Sequence, residues 1–183
     1  MGRISLRGAG RGDYRPGKAL VTQALWIGVE WAVVTNALQL SSTVRVCALR
    51  AFGAKIGSRV IVRPRLRVKY PWNLTVGDDC WIGEGVWIHN QAPVSIGNDA
   101  VVSQDTLITT GSHDIAETMD LVIRPVRIED GAWVAARCVV LQGSDIGADA
   151  VVAAGSVVQG ILPSGGVYRG NPAVWIRSRV REV

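Results

Sequence analysis

An Ile or Val recurs every six residues through most of this 183-residue chain. The beat runs Ile56, Val62, Val68, then Val76, Ile82, Ile88, then Ile96, Val102, Ile108; after one long break it resumes at Ile128, Val134, Val140, Ile146, Val152 and Val158. A six-residue period fits neither the 3.6 residues per turn of an amphipathic helix nor the two-residue alternation of an ordinary strand. It is the hexapeptide repeat of a parallel β-helix. Each hexad makes one short flat strand and a corner, three hexads close a triangular coil, and stacked coils pair as parallel ladders. The β-branched anchors point inward at every level and favour strand. Four residues on, the side chain is usually small or slim, as at Cys80, Ala92, Ala100, Thr106, Ala132, Cys138, Ser144, Ala150 and Ser156, which suits the converging corners. Glycine often follows the anchor, as at Gly57, Gly77, Gly83, Gly97 and Gly147, and the expectation is that corner dihedrals require it. An ordinary β-sandwich would not keep register over so many steps.

The length suits one well-buried domain. Residues 1–18 read as a basic arm, and 19–54 as a helical N-terminal cap in which Leu20, Ala24, Leu25, Trp31, Val34 and Leu38 fall near helical spacing. Residues 55–163 form the hexapeptide-repeat β-helix, and 164–183 read as turns followed by a short basic C-terminal helix. The cap's apolar run is too short to span a membrane. Covering the open end of the first coil is its simplest use; a peripheral membrane contact through Trp26, Trp31 and the flanking arginines is the alternative. Eight-residue steps from Val68 to Val76 and from Ile88 to Ile96 mark small corner insertions. The step from Ile108 to Ile128 is far longer and ejects residues 109–127 as a loop, the kind of excursion where function tends to sit.

A net charge of +5 and seven Trp raise the question of nucleic acid. The positive charge is split between the ends and the middle, with Arg3, Arg7, Arg11, Arg15 and Lys18 at one end and Arg177, Arg179 and Arg181 at the other, and no aromatic-basic RNA-binding motif is present, so an anionic small ligand or a charged surface is the better partner. Cys47, Cys80 and Cys138 are isolated, and two of them occupy the small position of the repeat, which reads as packing thiols in a reducing cytoplasm. The first residues lack the apolar core of a signal peptide. The two histidines, His89 and His113, are one short of a three-imidazole zinc site, so no metal is expected. His113 ends the run Thr109, Thr110, Gly111, Ser112 where the long loop leaves the coil. An imidazole there suits a general base; a loop histidine bonded to a turn is the competing reading.

Several motifs link the hexads. Phe52, Gly53, Ala54, Lys55, Ile56, Gly57 is followed by Lys69, Tyr70, Pro71, Trp72, Asn73, Leu74; then come Trp81, Ile82, Gly83, Glu84, Gly85, Val86, Trp87, Ile88, and later Ile128, Glu129, Asp130, Gly131, Ala132, Trp133. With these and the Gly111 to Asp114 stretch, nearly everything after residue 20 resembles the hexapeptide-repeat acyltransferases of the sugar O-acetyltransferase group. The likeness is closer to the acetyltransferases assigned to colanic acid biosynthesis. The resemblance implies an all-β fold, a left-handed parallel β-helix of hexapeptide repeats with an N-terminal α-helical cap and a short C-terminal helix. It implies a cytoplasmic homotrimer that takes acetyl-CoA in a groove between neighbouring β-helices and acts on a sugar-like acceptor. His113 matches the family's base, which deprotonates a sugar hydroxyl for direct attack on the thioester. Asn90 lies near an Asn that helps to hold the acceptor, although an asparagine satisfying corner backbone groups accounts for it equally well. Trp133 matches a Trp bordering the CoA groove, Ala136 and Ala154 match cofactor contacts, and Arg177 matches a phosphate contact, with Arg169 secondary.

The chain departs from the family where Gln159, Gly160 and Ile161 replace Thr-Lys-Asp, where Gln142 replaces Pro, and where His89 replaces Asp. The first change removes a cation near the expected cofactor tail, and the last bears on acceptor choice. The expected activity is O-acetyl transfer from acetyl-CoA. The alternatives are N-acetylation of an amino sugar, acylation of a small natural product, and a non-catalytic trimeric scaffold.

Overall fold

The hexads fold as three parallel sheets around one interior, a left-handed parallel β-helix of about six coils. The computed structural model describes residues 6–12 and 14–179. Face one stacks Lys55–Ile56, Leu74–Val76, Val94–Ile96, Val126–Ile128, Asp145–Ile146 and Ile161–Leu162. Face two stacks Ile61–Val62, Trp81–Ile82, Val101–Val102, Trp133–Val134 and Val151–Val152, and continues into Gly166–Gly170 and Ala173–Ser178. Face three stacks Arg67–Val68, Trp87–His89, Leu107–Thr109, Val139–Val140 and Val157–Val158.

Register pairs anchor with anchor, as in Ile56 with Val76, Val76 with Ile96, and Ile96 with Ile128. The long break therefore costs the coil no register. Every anchor from Val62 to Val158 is buried, and so is every small corner residue from Cys80 to Ser156. Cys80 and Cys138 donate weakly to the Gly97 and Ala153 carbonyls, which is consistent with packing thiols, whereas Cys47 on the cap is exposed.

The glycines after the anchors act for a different reason from the one expected. Left-handed φ is taken at several corners by Arg59, Asp79, Asp99, Asp105, Arg137 and Asp149, while Gly57, Gly77 and Gly97 have ordinary φ. Asp78 accepts from the Ser58 N–H at 2.6 Å, Asn98 from the Asp78 N–H at 2.9 Å, and Asp130 from the Asn98 N–H at 2.7 Å. A Cβ at Gly57, Gly77 or Gly97 would collide with these oxygens of the next coil. Close approach between coils, rather than dihedral freedom, demands glycine there.

The first coil has no strand below it, and its exposed N–H and C=O groups need partners. The cap supplies one set per face. On face three, Glu30 Oε1 accepts from the Val68 N–H at 2.6 Å, and Trp26 Nε1 donates to the Val68 carbonyl at 2.8 Å. On face two, Ser42 Oγ accepts from the Val62 N–H at 2.8 Å and Arg45 donates to the Val62 carbonyl. On face one, Arg50 donates to the Ile56 and Gly57 carbonyls at 2.8 and 2.6 Å. These residues lie on helices α1 (Leu20–Val29) and α2 (Ser42–Ala51) and on the π-helical turn Glu30–Val34 between them. Trp26 is buried, which removes it from any surface contact; Trp31 is exposed.

One terminal expectation changes. The described part of the C-terminal segment is not helical: Gly166–Gly170 and Ala173–Ser178 form an antiparallel hairpin that joins face two through Val151 and Val167. The run Val174, Trp175, Ile176 favours strand, and the last coil offers an unpaired edge for it to extend. Arg181 lies outside the described residues, as does Arg3. The basic arm is tied down where it is described: Gly10 pairs with Asp120 and Leu121, and the Pro16 carbonyl accepts from Trp72 Nε1.

Candidate active site

After Thr109 the chain leaves face three as a hairpin, with Gly111–His113 antiparallel to Leu121–Ile123 and His113 opposite Leu121. The ejected segment is thus an ordered ribbon that begins later and ends earlier than 109–127, since Thr109 and Val126 still belong to coils. Asp114 builds its turn by accepting from the N–H groups of Ala116, Glu117 and Thr118, bonds that hold its carboxyl below the usual carboxylate range. The turn presents the Met119 carbonyl 2.9 Å from His113 Nδ1. A carbonyl can only accept, so Nδ1 carries a proton, and in the neutral tautomer that this selects Nε2 is the acceptor. His113 is exposed, and an acceptor nitrogen held outward on a stiff hairpin is a geometry for taking a proton.

The other sequence candidates near this corner behave differently. Asn90 is fully buried; its Oδ1 accepts from the Tyr70 N–H at 2.9 Å and its Nδ2 donates to the Tyr70 carbonyl at 2.7 Å. Both ends of the amide hold the corner, which supports the reading of Asn90 as an asparagine satisfying corner backbone groups. His89 is half-buried with Nε2 3.0 Å from Lys69 Nζ and its ring edge-on to Trp87. Burial, with Lys69 and then Arg67 adding to it, lowers its pKa.

The cofactor candidates fall into two groups. Register places Trp81, Val101, Trp133, Val151, Val167 and Arg177 in one outward row on face two. With strands about 4.8 Å apart, Trp133 and Arg177 stand roughly 14 Å apart along it. Trp133 Nε1 donates to Ser103 Oγ at 2.9 Å, and with Trp81, Arg63 and Gln104 it lines an open groove of 540 Å³. Ala136 and Ala154 occupy the corner after face two in successive coils, where the Gly155 N–H donates to the Ala136 carbonyl and space beyond Gly155 is open. Arg177 is exposed, with its guanidinium on the Ser178 carbonyl. Within one chain, all of face three separates these alanines from the corner that carries His113.

Sequence reasoning missed Arg124. A second pocket of 320 Å³ lies at the hairpin base, lined by Ser112, Arg124, Gln142, Gln159 and Gly160. Three positions that depart from the family pattern thus meet in one place, and Arg124 brings a cation to it. Its stem lies over Gly143, and the Gln142 Oε1 beside it is buried without a partner among the described residues. No local signal marks Arg124, because only the resumption of register at Val126 brings it back to the coil. Among the described residues no group of three His, Cys, Asp or Glu side chains is placed to hold a metal ion.

Comparison with known proteins agrees with this fold. The family described as Bacterial transferase hexapeptide (six repeats) matches residues 125–160, and Hexapeptide repeat of succinyl-transferase matches 73–109. The Escherichia coli K12 protein named "Putative colanic acid biosynthesis acetyltransferase WcaF" is 40% identical over 168 residues, 91% of this chain and 92% of that protein. Galactoside O-acetyltransferase of the same organism is 26% identical over 137 residues, 73% of this chain and 68% of that protein. The fold superposes on a hexapeptide-repeat-containing acetyltransferase of Vibrio cholerae complexed with acetyl coenzyme A, with a TM-score of 0.83 at 24% identity, covering 96% of this chain and 98% of that one.

Proposed function

The chain belongs to the hexapeptide-repeat acyltransferases, and from that premise we propose that it is an acetyl-CoA-dependent O-acetyltransferase acting on a sugar hydroxyl, with His113 as general base. The observation that carries the reading is the Met119 carbonyl on His113 Nδ1, which leaves Nε2 as the free acceptor. Nε2 takes the proton of the acceptor hydroxyl while that oxygen bonds to the thioester carbonyl carbon. The carbon–sulfur bond then breaks, the proton passes from Nε2 to the departing thiolate, and the products are an acetyl ester and the free thiol of CoA. A sugar acceptor is supported by the names of the two Escherichia coli relatives, one assigned to colanic acid biosynthesis and one to galactosides.

The site is completed in a homotrimer. The outward row of face one is mostly polar, with Lys55, Thr75, Ser95, Arg127 and Asp145, as a face in water should be. The corresponding rows of faces two and three carry Trp81, Val101, Trp133 and Val151, and Leu107, Val139 and Val157. Packing face two of one copy against face three of the next buries these rows. It also sets the His113 hairpin of one copy beside the Ala136 and Ala154 corner of its neighbour. Those small side chains leave room for pantetheine, while Trp133 borders the channel and Arg177 takes a nucleotide phosphate.

The test is release of free thiol from acetyl-CoA with sugar hydroxyl and amino-sugar acceptors in parallel, on protein whose mass in solution is three times 19.6 kDa. Turnover is expected with a hydroxyl acceptor and is expected to be lost in His113→Ala. Turnover with amines alone would overturn O-transfer. Full activity of His113→Ala would remove the base.

A further inference from the structure

The side chains that α1 exposes are Leu20, Val21, Ala24, Leu25 and Ile27, together with Gly28, and the turn after it exposes Trp31 and Ala32. At about 100° per residue the α1 positions alone fill one arc of roughly 160°, and Trp31 and Ala32 extend the apolar surface beyond the helix. No charge interrupts it, although Leu20 is 80% and Trp31 78% exposed. Glu30, the single carboxylate between Asp13 and Asp78, is turned inward onto the Val68 N–H and leaves the surface of the cap without an acidic side chain. The surrounding charge is predominantly positive. Residues 1–77 contain thirteen Lys and Arg against two Asp and Glu, whereas residues 78–183 contain seven against thirteen. Arg11, Arg15 and Lys18 are exposed directly before the apolar face. Among the described residues no helix is long and apolar enough to cross a membrane.

We propose that the cap docks on an anionic lipid bilayer, with α1 lying in the interfacial plane, its apolar arc among the acyl chains and the basic residues on the head groups. An all-apolar exposed arc flanked by basic residues is the signature of a helix that lies on a membrane, and the excess of positive charge at this end of the solenoid selects negatively charged lipid. The polar bonds from Glu30, Trp26 and Arg45 to the first coil make the helix a rigid part of the β-helix, so docking would orient the whole solenoid. The inference does not depend on acetyl transfer, because partition is measured without turnover.

The test is flotation of the full chain with vesicles of phosphatidylcholine and phosphatidylglycerol at 3:1, and with phosphatidylcholine alone. Binding is expected to the anionic vesicles and to weaken with salt. Arg15→Ala/Lys18→Ala, which leaves the apolar arc intact, is expected to weaken it by about 30-fold. Leu25→Glu/Trp31→Glu is expected to abolish it while retaining native circular dichroism, trimeric mass and turnover with a soluble acceptor. Failure of the wild-type chain to float with anionic vesicles would overturn the proposal, and so would undiminished binding by Leu25→Glu/Trp31→Glu. Loss of trimeric mass in that variant would assign the arc to a second copy of the chain and overturn it as well.

Discussion

The open end of the first coil and the corner after Thr109 pose one physical problem, backbone that the repeat no longer pairs, and the chain answers it in two ways. At the first coil the answer is saturation: Glu30 and Trp26 close Val68, Ser42 and Arg45 close Val62, and Arg50 closes Ile56. At the corner after Thr109 the backbone is also paired, through Gly111–His113 with Leu121–Ile123, and Asp114 fills the turn. One acceptor is left over, His113 Nε2, and it faces outward. A backbone group whose bond is made carries stability, while an exposed group with one bond pinned and one free is available for chemistry.

That contrast is sharpest in His113→Ala. It is expected to lower kcat by about 1,000-fold, within the usual contribution of a general base. The change in unfolding free energy is expected to stay within about 0.5 kcal/mol, as for an exposed side chain. Steady-state kinetics and urea denaturation on the same sample check both, and a large loss of stability would erase the distinction between the two regions. Glu30→Ala should do the opposite. Leaving the Val68 N–H unpaired in a buried edge costs about 1–3 kcal/mol, with kcat for a soluble acceptor held within about twofold. An activity loss matching that of His113→Ala would show that the cap and the hairpin are not separable.

The smallest effect is a pH dependence. Burial raises the Glu30 pKa above its ordinary 4.5, against the bond from Val68 and the charge of Arg67. The folded state therefore favours the protonated carboxyl, and the stability this contributes is full below pH 4.5 and is lost as pH rises through the folded value. Glu30→Gln retains a carbonyl oxygen for Val68 and removes the titration. The wild-type chain should accordingly lose stability relative to Glu30→Gln as pH rises above 4.5, measured by urea midpoints. A difference independent of pH would place Glu30 outside the buried edge.

Much of the candidate site's corner was legible because chain order alone put His113 where the beat breaks. Asn90 was less so. Its sequence neighbours suit an acceptor contact as well as a corner, and only the bonds to Tyr70, twenty residues away, favour the corner. The glycines after the anchors were correctly placed in the repeat and wrongly explained, since Asp78, Asn98 and Asp130 that exclude a Cβ come from the next coil.

By itself, the sequence determined the repeat, the inward columns of Ile and Val, and the one place where the chain leaves the coil. A strict six-residue period leaves the backbone no other way to bury every anchor. Tertiary structure alone decided how the ends close, why Ala173–Ser178 is strand instead of helix, and how Arg124 returns to the pocket beside Gln159 and Gly160. Those outcomes depend on which unpaired edge or gap a distant segment meets, and contacts across tens of residues leave no period in the chain to read.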